Sequence, residues 1–303
     1  MRTPLLASEE LGRAFGGRAF LKTELLQATG SFKPRGVLTK LASLAPEEKR
    51  RGVIAASAGN HASALAWGCA AEGVDCLVVM WRGASEPKRA AALGYGAAVD
   101  QEAAGPHEVF ERLAALQVES GRVLVHPFDD PLVIAGQGTV GLEIRADLPD
   151  VDVVVVPTGG GGLVSGIAAA LPDVRVVAVE PEGSAALHDA LHAGRPVRVD
   201  ARSVADGLNA PFAGEHAVRL CRDHGVESAL VSEEEIRAGF RFLYERVKLA
   251  AEPGGAAGVA ALLAGRIGGL DGATVAVVVS GGNVGVDIAF GILSEIPLQT
   301  HET

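Results

Sequence analysis

The chain has 303 residues, a net charge of −10 at pH 7, and a hydrophobic content of 48% with only 4% aromatic residues. The acidic balance argues against a nucleic-acid partner or an anionic membrane surface. No apolar run approaches the roughly 18 residues that a membrane span needs, and the first ten residues lack the apolar core of a signal peptide. We therefore expect a cytoplasmic α/β protein of about two domains.

Strands and helices alternate along most of the chain. Apolar runs predict strands after Gly17, at 52–56, 75–80, from 99, and at 122–126, 151–156, 175–179, 229–231 and 274–279. Helices are predicted at 37–44, 62–72, 86–93, 108–120, 132–147, 163–171, 215–224, 233–247 and 256–264. Residues 46–51 are expected to form a charged loop, and most of 181–231 to be irregular. This alternation predicts parallel sheets with right-handed crossovers.

One lysine lies in an unusual local setting, the stretch Thr-Gly-Ser-Phe-Lys-Pro-Arg-Gly at 29–36. Pro34 suits the first turn of a helix and disfavours the α region for the residue before it, Lys33. Lys33 is therefore predicted to lie at the entrance of helix 37–44, where the positive helix end lowers the proton affinity of an amine. The pattern indicates a nucleophilic or basic lysine; the alternative is a solvated lysine at a helix start.

Three glycine-containing loops follow apolar strands, at 57–61, 158–162 and 280–283. Ligands bind outside the carboxyl ends of strands in an open parallel sheet. The glycines of 159–162 precede a helix and predict a phosphate seat. The absence of Lys-Ser/Thr after them excludes a Walker loop. Glu180, about 20 residues further on, leaves open the dinucleotide site of a nicotinamide-dependent dehydrogenase, although the glycine spacing differs from that fingerprint.

The other two loops offer polar groups to smaller ligand atoms. Ser57 and Asn60 stand at a helix start and suit a small carboxylate, or they act only as a helix cap. Ser280 offers a hydroxyl to a heteroatom in the sheet crevice, or it only ends a strand. A reactive lysine, a phosphate seat and a carboxylate seat together describe a pyridoxal-phosphate enzyme that acts on an amino acid.

The sequence resembles the fold-type II pyridoxal-phosphate enzymes, specifically the serine/threonine dehydratases (threonine ammonia-lyases) related to serine racemase. The matching stretches run in family order and begin at Arg2, Thr29, Ala56, His126, Ile134, Pro157, Ala205, Glu252 and Ser280. The resemblance implies two open, twisted, mostly parallel sheets with helices on both faces. It places the cofactor between a large domain of residues 1–45 and 132–303 and a small domain of residues 46–131, in a homodimer.

The resemblance also assigns roles to individual residues. Lys33 is the Schiff-base lysine, Phe32 packs against the pyridine ring, Asn60 bonds the ring hydroxyl, and Ser280 meets the pyridine nitrogen. The implied cofactor-binding residues are Phe32, Lys33, Asn60, Gly159, Gly160, Gly161, Gly162 and Ser280. The implied substrate-binding residues are Ser57, Ala58, Gly59, Asn60 and His61.

The implied reaction is α,β-elimination of a β-hydroxy amino acid, L-threonine or L-serine, to a 2-keto acid and ammonia. Ala58 stands where serine racemase has its second acid/base, a serine, which favours elimination over racemisation. An amino-acid racemase and an ammonia-lyase for hydroxyaspartate or phenylserine remain alternatives. His107 lies near the position where racemase-type members carry a substrate-contacting arginine.

Some members of the family bind a divalent cation through an acid that matches Glu180, a carbonyl at Ser184 and an acid at Ala186. The alanine removes one anionic ligand. The resemblance therefore predicts no confident metal site here, and Glu180 and Ser184 are the candidate ligands.

Overall fold

The structure is a computed structural model that describes residues 1–84, 86–105 and 108–294. The strands are β1 Leu5–Ala7, β2 Arg18–Thr23, β3 Val53–Ala56, β4 Cys76–Trp81, β5 Ala98–Ala103, β6 Val123–Leu124, β7 Val153–Pro157, β8 Arg175–Pro181, β9 Glu227–Val231 and β10 Thr274–Val279. The helices are α1 Glu9–Phe15, α2 Pro34–Ser43, α3 Pro46–Arg51, α4 Asn60–Glu72, α5 Glu86–Gly94, α6 Val109–Ser120, α7 Pro131–Asp147, α8 Gly162–Ala170, α9 Ala186–Ala193, α10 Glu215–Asp223, α11 Glu233–Phe242, α12 Pro253–Leu263 and α13 Val286–Ser294. His107 lies outside the described residues.

The larger sheet has six strands in the order β1-β2-β10-β7-β8-β9. Only the edge pair β1–β2 is antiparallel. Its central strands β7 and β10 are buried along their whole length, as expected when helices cover both faces of a parallel sheet. Alternate residues of β7 pack into two separate hydrophobic cores, with Val155 in one and Val154 in the other. Each face of the sheet therefore has its own hydrophobic core.

The smaller sheet has four parallel strands in the order β5-β4-β3-β6. One face packs on α2 and α4, where Val53 and Val78 share a core with Val37 and Leu65. The other face packs on α6 through Leu113. Two mostly parallel sheets with helices on both faces confirm the predicted fold class.

Helix α2, which follows Lys33, lies almost in backbone contact with α7. A Cβ atom on Gly136 would lie 2.6 Å from the Cα atom of Gly36, so neither position has room for a side chain. This close approach holds the start of α2 in place against α7.

Two segments expected to lack regular structure are helical. Residues 46–51 form α3, where Pro46 occupies the first turn and the Glu48 carboxylate accepts the Ala45 N–H at 2.8 Å. The segment 181–231 contains α9, whose first N–H groups, those of Leu187 and His188, donate to the Glu180 carboxylate. That acceptor lies on the preceding strand β8, so local residue patterns do not reveal the cap.

The backbone of Lys33 also differs from expectation. Lys33 has helical angles of φ −54° and ψ −35°, although Pro34 follows it. Its carbonyl oxygen accepts the N–H of Val37 at 3.2 Å. This hydrogen bond begins α2 and offsets the steric preference that proline imposes on its neighbour. Lys33 still lies at the helix entrance, as predicted.

Candidate active site

The lysine stretch is joined to the end of β10 by backbone hydrogen bonds. Ser31 pairs with Gly281, and the N–H of Phe32 donates to the carbonyl oxygen of Ser280 at 3.0 Å. Thr29, just upstream, has a φ of 61°, which is rare for a β-branched residue, and its carbonyl oxygen accepts the side-chain amide of Asn283 at 2.7 Å. The turn at Thr29 therefore brings Phe32 and Lys33 next to Ser280.

The amine of Lys33 is held inside the cleft. Its Nζ donates to the carbonyl oxygen of Pro127 at 2.7 Å and lies 4.9 Å from the centre of the Phe32 ring. Burial lowers the pKa of Lys33 from its ordinary value of 10.5 to about 8, and the charge of Glu252 opposes this with a smaller effect. A larger fraction of this amine is unprotonated near neutral pH than for a solvated lysine, which suits a nucleophile or base.

Glu252, which ends the loop before α12, is an acidic residue of the site to which sequence analysis assigned no role. Its Oε1 accepts the side-chain amide of Asn60 at 2.7 Å, and the Oδ1 of Asn60 accepts the amide of Asn283 at 2.7 Å. A Cβ on Gly281 would lie 2.3 Å from the same Oε1, so a side chain there would displace the Glu252 carboxylate from Asn60. Asn60 keeps a second amide hydrogen for a ligand. The sequence feature from which a role for Glu252 could have been predicted is the Glu-Pro pair at 252–253, which begins one of the matching stretches.

The four glycines form an open set of backbone donors between β7 and α8. The N–H groups in the first turn of a helix have no acceptor within the helix, and α8 begins at Gly162. Among the described residues, no hydrogen bond gives an acceptor to the N–H groups of Gly159–Gly162. A Cβ on Gly160 would lie 2.4 Å from the Phe128 ring. Unpaired donors at a positive helix end fit an anion such as a phosphate monoester.

The loop before α4 divides its groups between the fold and a ligand. The Oγ of Ser57 accepts the N–H groups of Gly59 and Ala62 at 3.2 and 3.3 Å, so Ser57 does cap the helix, yet its hydroxyl hydrogen stays available. The ring of His61 is buried and donates from Nε2 to the carbonyl oxygen of Val125 at 2.9 Å. Burial lowers the pKa of His61 to about 3, and the charge of Lys33 adds to this effect. The His61 ring is therefore neutral and held by Val125, and the backbone N–H of His61 at the helix start is available to a carboxylate.

Aromatic rings border the phosphate loop. The Phe128 ring meets His126 edge-on at 4.6 Å and Phe212 at 5.5 Å, and Phe212 lies 5.9 Å from Phe110 of α6. No role was predicted for these rings from the sequence, although His126 and Phe128 belong to the matching stretch 126–131. They form an apolar wall beside Lys33, because Phe128 directly follows Pro127.

The acidic candidate metal ligand, Glu180, is occupied within the fold. Both carboxylate oxygens of Glu180 accept backbone N–H groups of α9 at 2.7 Å, and the Ser184 hydroxyl donates to the Leu208 carbonyl at 3.0 Å. Burial raises the pKa of Glu180 to about 8. Within the described ranges, no group of three or more His, Cys, Asp or Glu side chains is arranged to hold a metal ion. Glu180 is fully buried and holds the start of α9, so its carboxylate is not available to the hydroxyls of a ribose.

These groups match the functional groups of pyridoxal phosphate. Lys33 supplies an amine for the aldehyde, the glycine loop supplies unpaired donors for the phosphate, and Asn60 supplies an amide for the ring hydroxyl. Ser280, which is 4% exposed and lies beside Phe32, supplies the only side chain assigned to the ring nitrogen. The residues present therefore fit the cofactor.

The chain was compared with known proteins. A family profile described as pyridoxal-phosphate dependent enzyme matches residues 1–281. The L-threonine ammonia-lyase of Thermotoga maritima is 44% identical over 299 residues, which cover 97% of this chain and 74% of that protein. The catabolic L-threonine dehydratase of Escherichia coli is 41% identical over 274 residues, which cover 88% of this chain and 83% of that protein.

Solved structures of related enzymes have the same fold as this chain. The threonine deaminase from T.th. matches with a TM-score of 0.85 and 41% identity, covering 94% of each chain. Maize serine racemase matches with a TM-score of 0.91 and 33% identity, covering 96% of this chain and 91% of the other. None of the helices between residues 1 and 294 that the structure describes is long and apolar enough to cross a membrane. The chain belongs to the family of pyridoxal-phosphate dependent enzymes.

Proposed function

We propose that this protein deaminates L-threonine or L-serine by α,β-elimination and releases a 2-keto acid and ammonia. The observation that carries the proposal is the Lys33 amine, which bonds to Pro127, together with the glycine loop that packs on the next residue, Phe128. Relatives that share 39–44% of its residues are named L-threonine ammonia-lyase or dehydratase, which supports the choice of substrate. When bound, pyridoxal phosphate withdraws electrons from the substrate and so acidifies its Cα–H bond.

The chain's own residues supply acid–base chemistry and orientation. We assign Lys33 as the general base that takes the Cα proton, since its pKa of about 8 lies close to working pH. The N–H groups of Gly159–Gly162 hold the phosphate, and the second amide hydrogen of Asn60 meets the ring hydroxyl. With the cofactor bound, Phe32 would pack beside its ring, and the Ser280 hydroxyl would serve the ring nitrogen without imposing a full charge on it.

The start of α4 orients the substrate. The Ser57 hydroxyl and the N–H groups of Asn60 and His61 bind its carboxylate at the positive end of the helix. Ala58 has no proton to exchange, so the face opposite Lys33 lacks an acid. Lys33 can pass the proton that it takes from Cα to the β-hydroxyl, which then leaves as water, and water hydrolyses the resulting imine to the 2-keto acid and ammonia. This arrangement favours elimination over racemisation.

We also propose that residues 46–131 form a small domain and residues 1–45 and 132–303 a large one, with the cofactor between them. The four-stranded sheet, which lies entirely within 53–124, supports this division. We expect a cytoplasmic homodimer that binds no nucleic acid, in keeping with the net charge of −10. Light scattering on the purified protein tests the dimer.

A keto-acid assay tests the proposed reaction. The protein loaded with pyridoxal phosphate is incubated with L-threonine, L-serine, 3-hydroxyaspartate or phenylserine, and both keto acid and ammonia are measured. We expect keto acid and ammonia in equal amounts, with threonine or serine as the best substrate. The opposite enantiomer without keto acid would instead show a racemase, and preference for another substrate would identify the hydroxyaspartate or phenylserine lyase.

A further inference from the structure

Two histidines face each other on α9, far along the chain from the lysine site. His188 and His192 are four residues apart, a spacing that places side chains on one face of a helix. Their ring centres are 4.4 Å apart, and the ring planes are inclined by 47°. Metal–nitrogen bonds of about 2.0–2.1 Å hold two ligating imidazole centres roughly 4–5 Å apart, so this separation suits a shared ion.

The hydrogen bonds of the pair leave the Nε2 atom of His192 free to donate an electron pair to a metal. Its Nδ1 lies 2.8 Å from the carbonyl oxygen of His188. A carbonyl oxygen only accepts, so Nδ1 carries the hydrogen and the lone pair of the neutral ring is on Nε2. An Nδ1–H bonded to a backbone carbonyl is the arrangement that orients metal-ligating histidines.

His188 has an equivalent support. Its Nδ1 lies 3.0 Å from the hydroxyl oxygen of Ser228, on β9. Since a hydroxyl accepts as well as donates, Ser228 can take the Nδ1 hydrogen and leave the lone pair of His188 on Nε2. Both rings can therefore present Nε2 lone pairs while their inner nitrogens are held by the protein.

The pair opens onto a shallow pocket of about 240 Å³ whose lining contains no lysine or arginine. The lining residues are His188, Leu191, His192, Val226 and Ser228. His192 is exposed and His188 half-buried, so an ion and its remaining water ligands can reach both rings. No cationic side chain of the lining repels a metal ion there.

We propose that His188 and His192 chelate a late first-row divalent metal ion, such as Ni²⁺, Cu²⁺ or Zn²⁺, with water completing the coordination. Imidazole nitrogens select these ions, whereas Ca²⁺ and Mg²⁺ prefer oxygen ligands. The site differs from the candidate cation ligands, the Glu180 carboxylate and the Ser184 carbonyl, and both carboxylate oxygens of Glu180 already accept backbone N–H groups. A bound ion would link the two turns of α9 that carry the histidines.

Calorimetric titration with Ni²⁺ alone tests the site on full-length, untagged protein that has been treated with chelator and reloaded with cofactor. We expect one ion per chain and a loss of affinity of at least about tenfold in His192→Gln and in His188→Gln. Ser228→Ala should weaken binding less than either, because it removes only an orienting partner. His224→Gln, at an exposed histidine after α10, is the matched control and should bind as wild type does.

His192 is exposed, so its replacement should leave the circular dichroism spectrum and the thermal unfolding of the metal-free protein unchanged. Electron paramagnetic resonance of the Cu²⁺ complex should show two coupled imidazole nitrogens in wild type and one in His192→Gln. Absence of Ni²⁺ binding would overturn the proposal. Equal affinity of wild type and His192→Gln, or an equal loss in His224→Gln, would also overturn it.

Discussion

The Nζ of Lys33 donates a hydrogen bond to the carbonyl oxygen of Pro127 over 2.7 Å and so joins the start of α2 to the segment between β6 and α7. A carbonyl oxygen only accepts, so the amine donates here whether or not it is protonated. The neutral amine therefore keeps its lone pair for a ligand.

The reactivity of Lys33 should follow an unusually low pKa. The rate at which cofactor-free protein takes up pyridoxal phosphate should rise with pH and level off above about pH 8. For a solvated lysine, the rate would keep rising up to about pH 10.5. In Glu252→Gln the midpoint should move lower, because the charge of Glu252 raises the pKa of Lys33. Absorbance of the bound cofactor against pH measures both. A wild-type midpoint near 10.5, or an upward shift in the variant, would contradict this assignment.

The same pKa predicts how stability depends on pH. The folded-state pKa of Lys33 lies below its unfolded value, so protonation of Lys33 opposes folding at and below about pH 8. The cofactor-free protein should therefore gain stability from this group between pH 8 and 10.5. Lys33→Met should lack that gain, which urea unfolding of both proteins across this range would reveal. Parallel curves for the two proteins would show that the amine is not buried.

The phosphate seat should not tolerate a methyl group. A Cβ on Gly160 would lie 2.4 Å from the Phe128 ring, so Gly160→Ala must push the ring aside and distort the loop. We expect at least a tenfold loss of affinity for pyridoxal phosphate in a binding titration. Gly94→Ala is the control, because nothing lies within 4 Å of its added Cβ. Wild-type affinity in Gly160→Ala would exclude this loop as the phosphate seat.

Arg35, two residues after Lys33, should be essential for holding α2. It donates to the buried Glu24 at 2.7 and 2.8 Å and to Glu143 at 2.7 and 2.9 Å, while Lys22 also donates to Glu143 at 2.6 Å. Removing the arginine leaves two carboxylates without their main partner. Arg35→Met should therefore lower the free energy of unfolding at pH 7 by about 3–5 kcal/mol. Arg35→Lys keeps the charge but loses the paired geometry, and it should recover only part of that loss.

Unfolding at acid pH distinguishes the contribution of this ion pair to stability from the contribution of side-chain packing. Burial raises the pKa of Glu143, but hydrogen bonds from Arg35 and Lys22 outweigh that effect and lower it to about 2. Its contribution to stability is present above the unfolded value of 4.5 and is lost as the pH falls through about 2. The difference between wild type and Arg35→Met in urea unfolding should therefore be smaller at pH 2 than at pH 7. An equal difference at both values would point to packing alone.

Ala58 should decide the fate of the proton on the face opposite Lys33. A serine at this position would supply a hydroxyl that can exchange a proton with Cα. We expect Ala58→Ser to convert some L-serine to D-serine, which chiral chromatography detects, while keto-acid production falls. If the variant eliminates as before and yields no D-serine, Ala58 does not set the reaction outcome.

Much of the fold was predictable because its signals are local. The strands β7, β8 and β10 are short apolar runs that stop at a proline or a polar loop, and each predicted glycine loop lies where a strand ends. The cap of α9 was not predictable, since its acceptor Glu180 belongs to a strand. One edge strand is also shorter than predicted: β6 has only two residues, where five were expected.

The residues of the candidate site also differ in whether local sequence patterns predict them. Side chains that extend from motifs, such as Lys33 and Asn60, could be predicted from sequence as site residues, whereas the carbonyl oxygen of Pro127 carries no residue-specific signal. Glu252 meets Asn60 across 192 positions of the chain, a pairing that only folding creates. The inward orientation of the His61 ring was missed for a related reason, because its acceptor Val125 lies on a different segment.

Lys33, among the six lysines of the chain, is the residue that we propose carries the cofactor. This role can be tested by loading the protein with pyridoxal phosphate, reducing it with borohydride, digesting it and locating the added pyridoxyl mass by mass spectrometry. We expect the modification on the peptide that contains Lys33, with none in Lys33→Ala and a wild-type result in Lys248→Ala. Modification at another lysine in the wild-type protein would be incompatible with this role for Lys33.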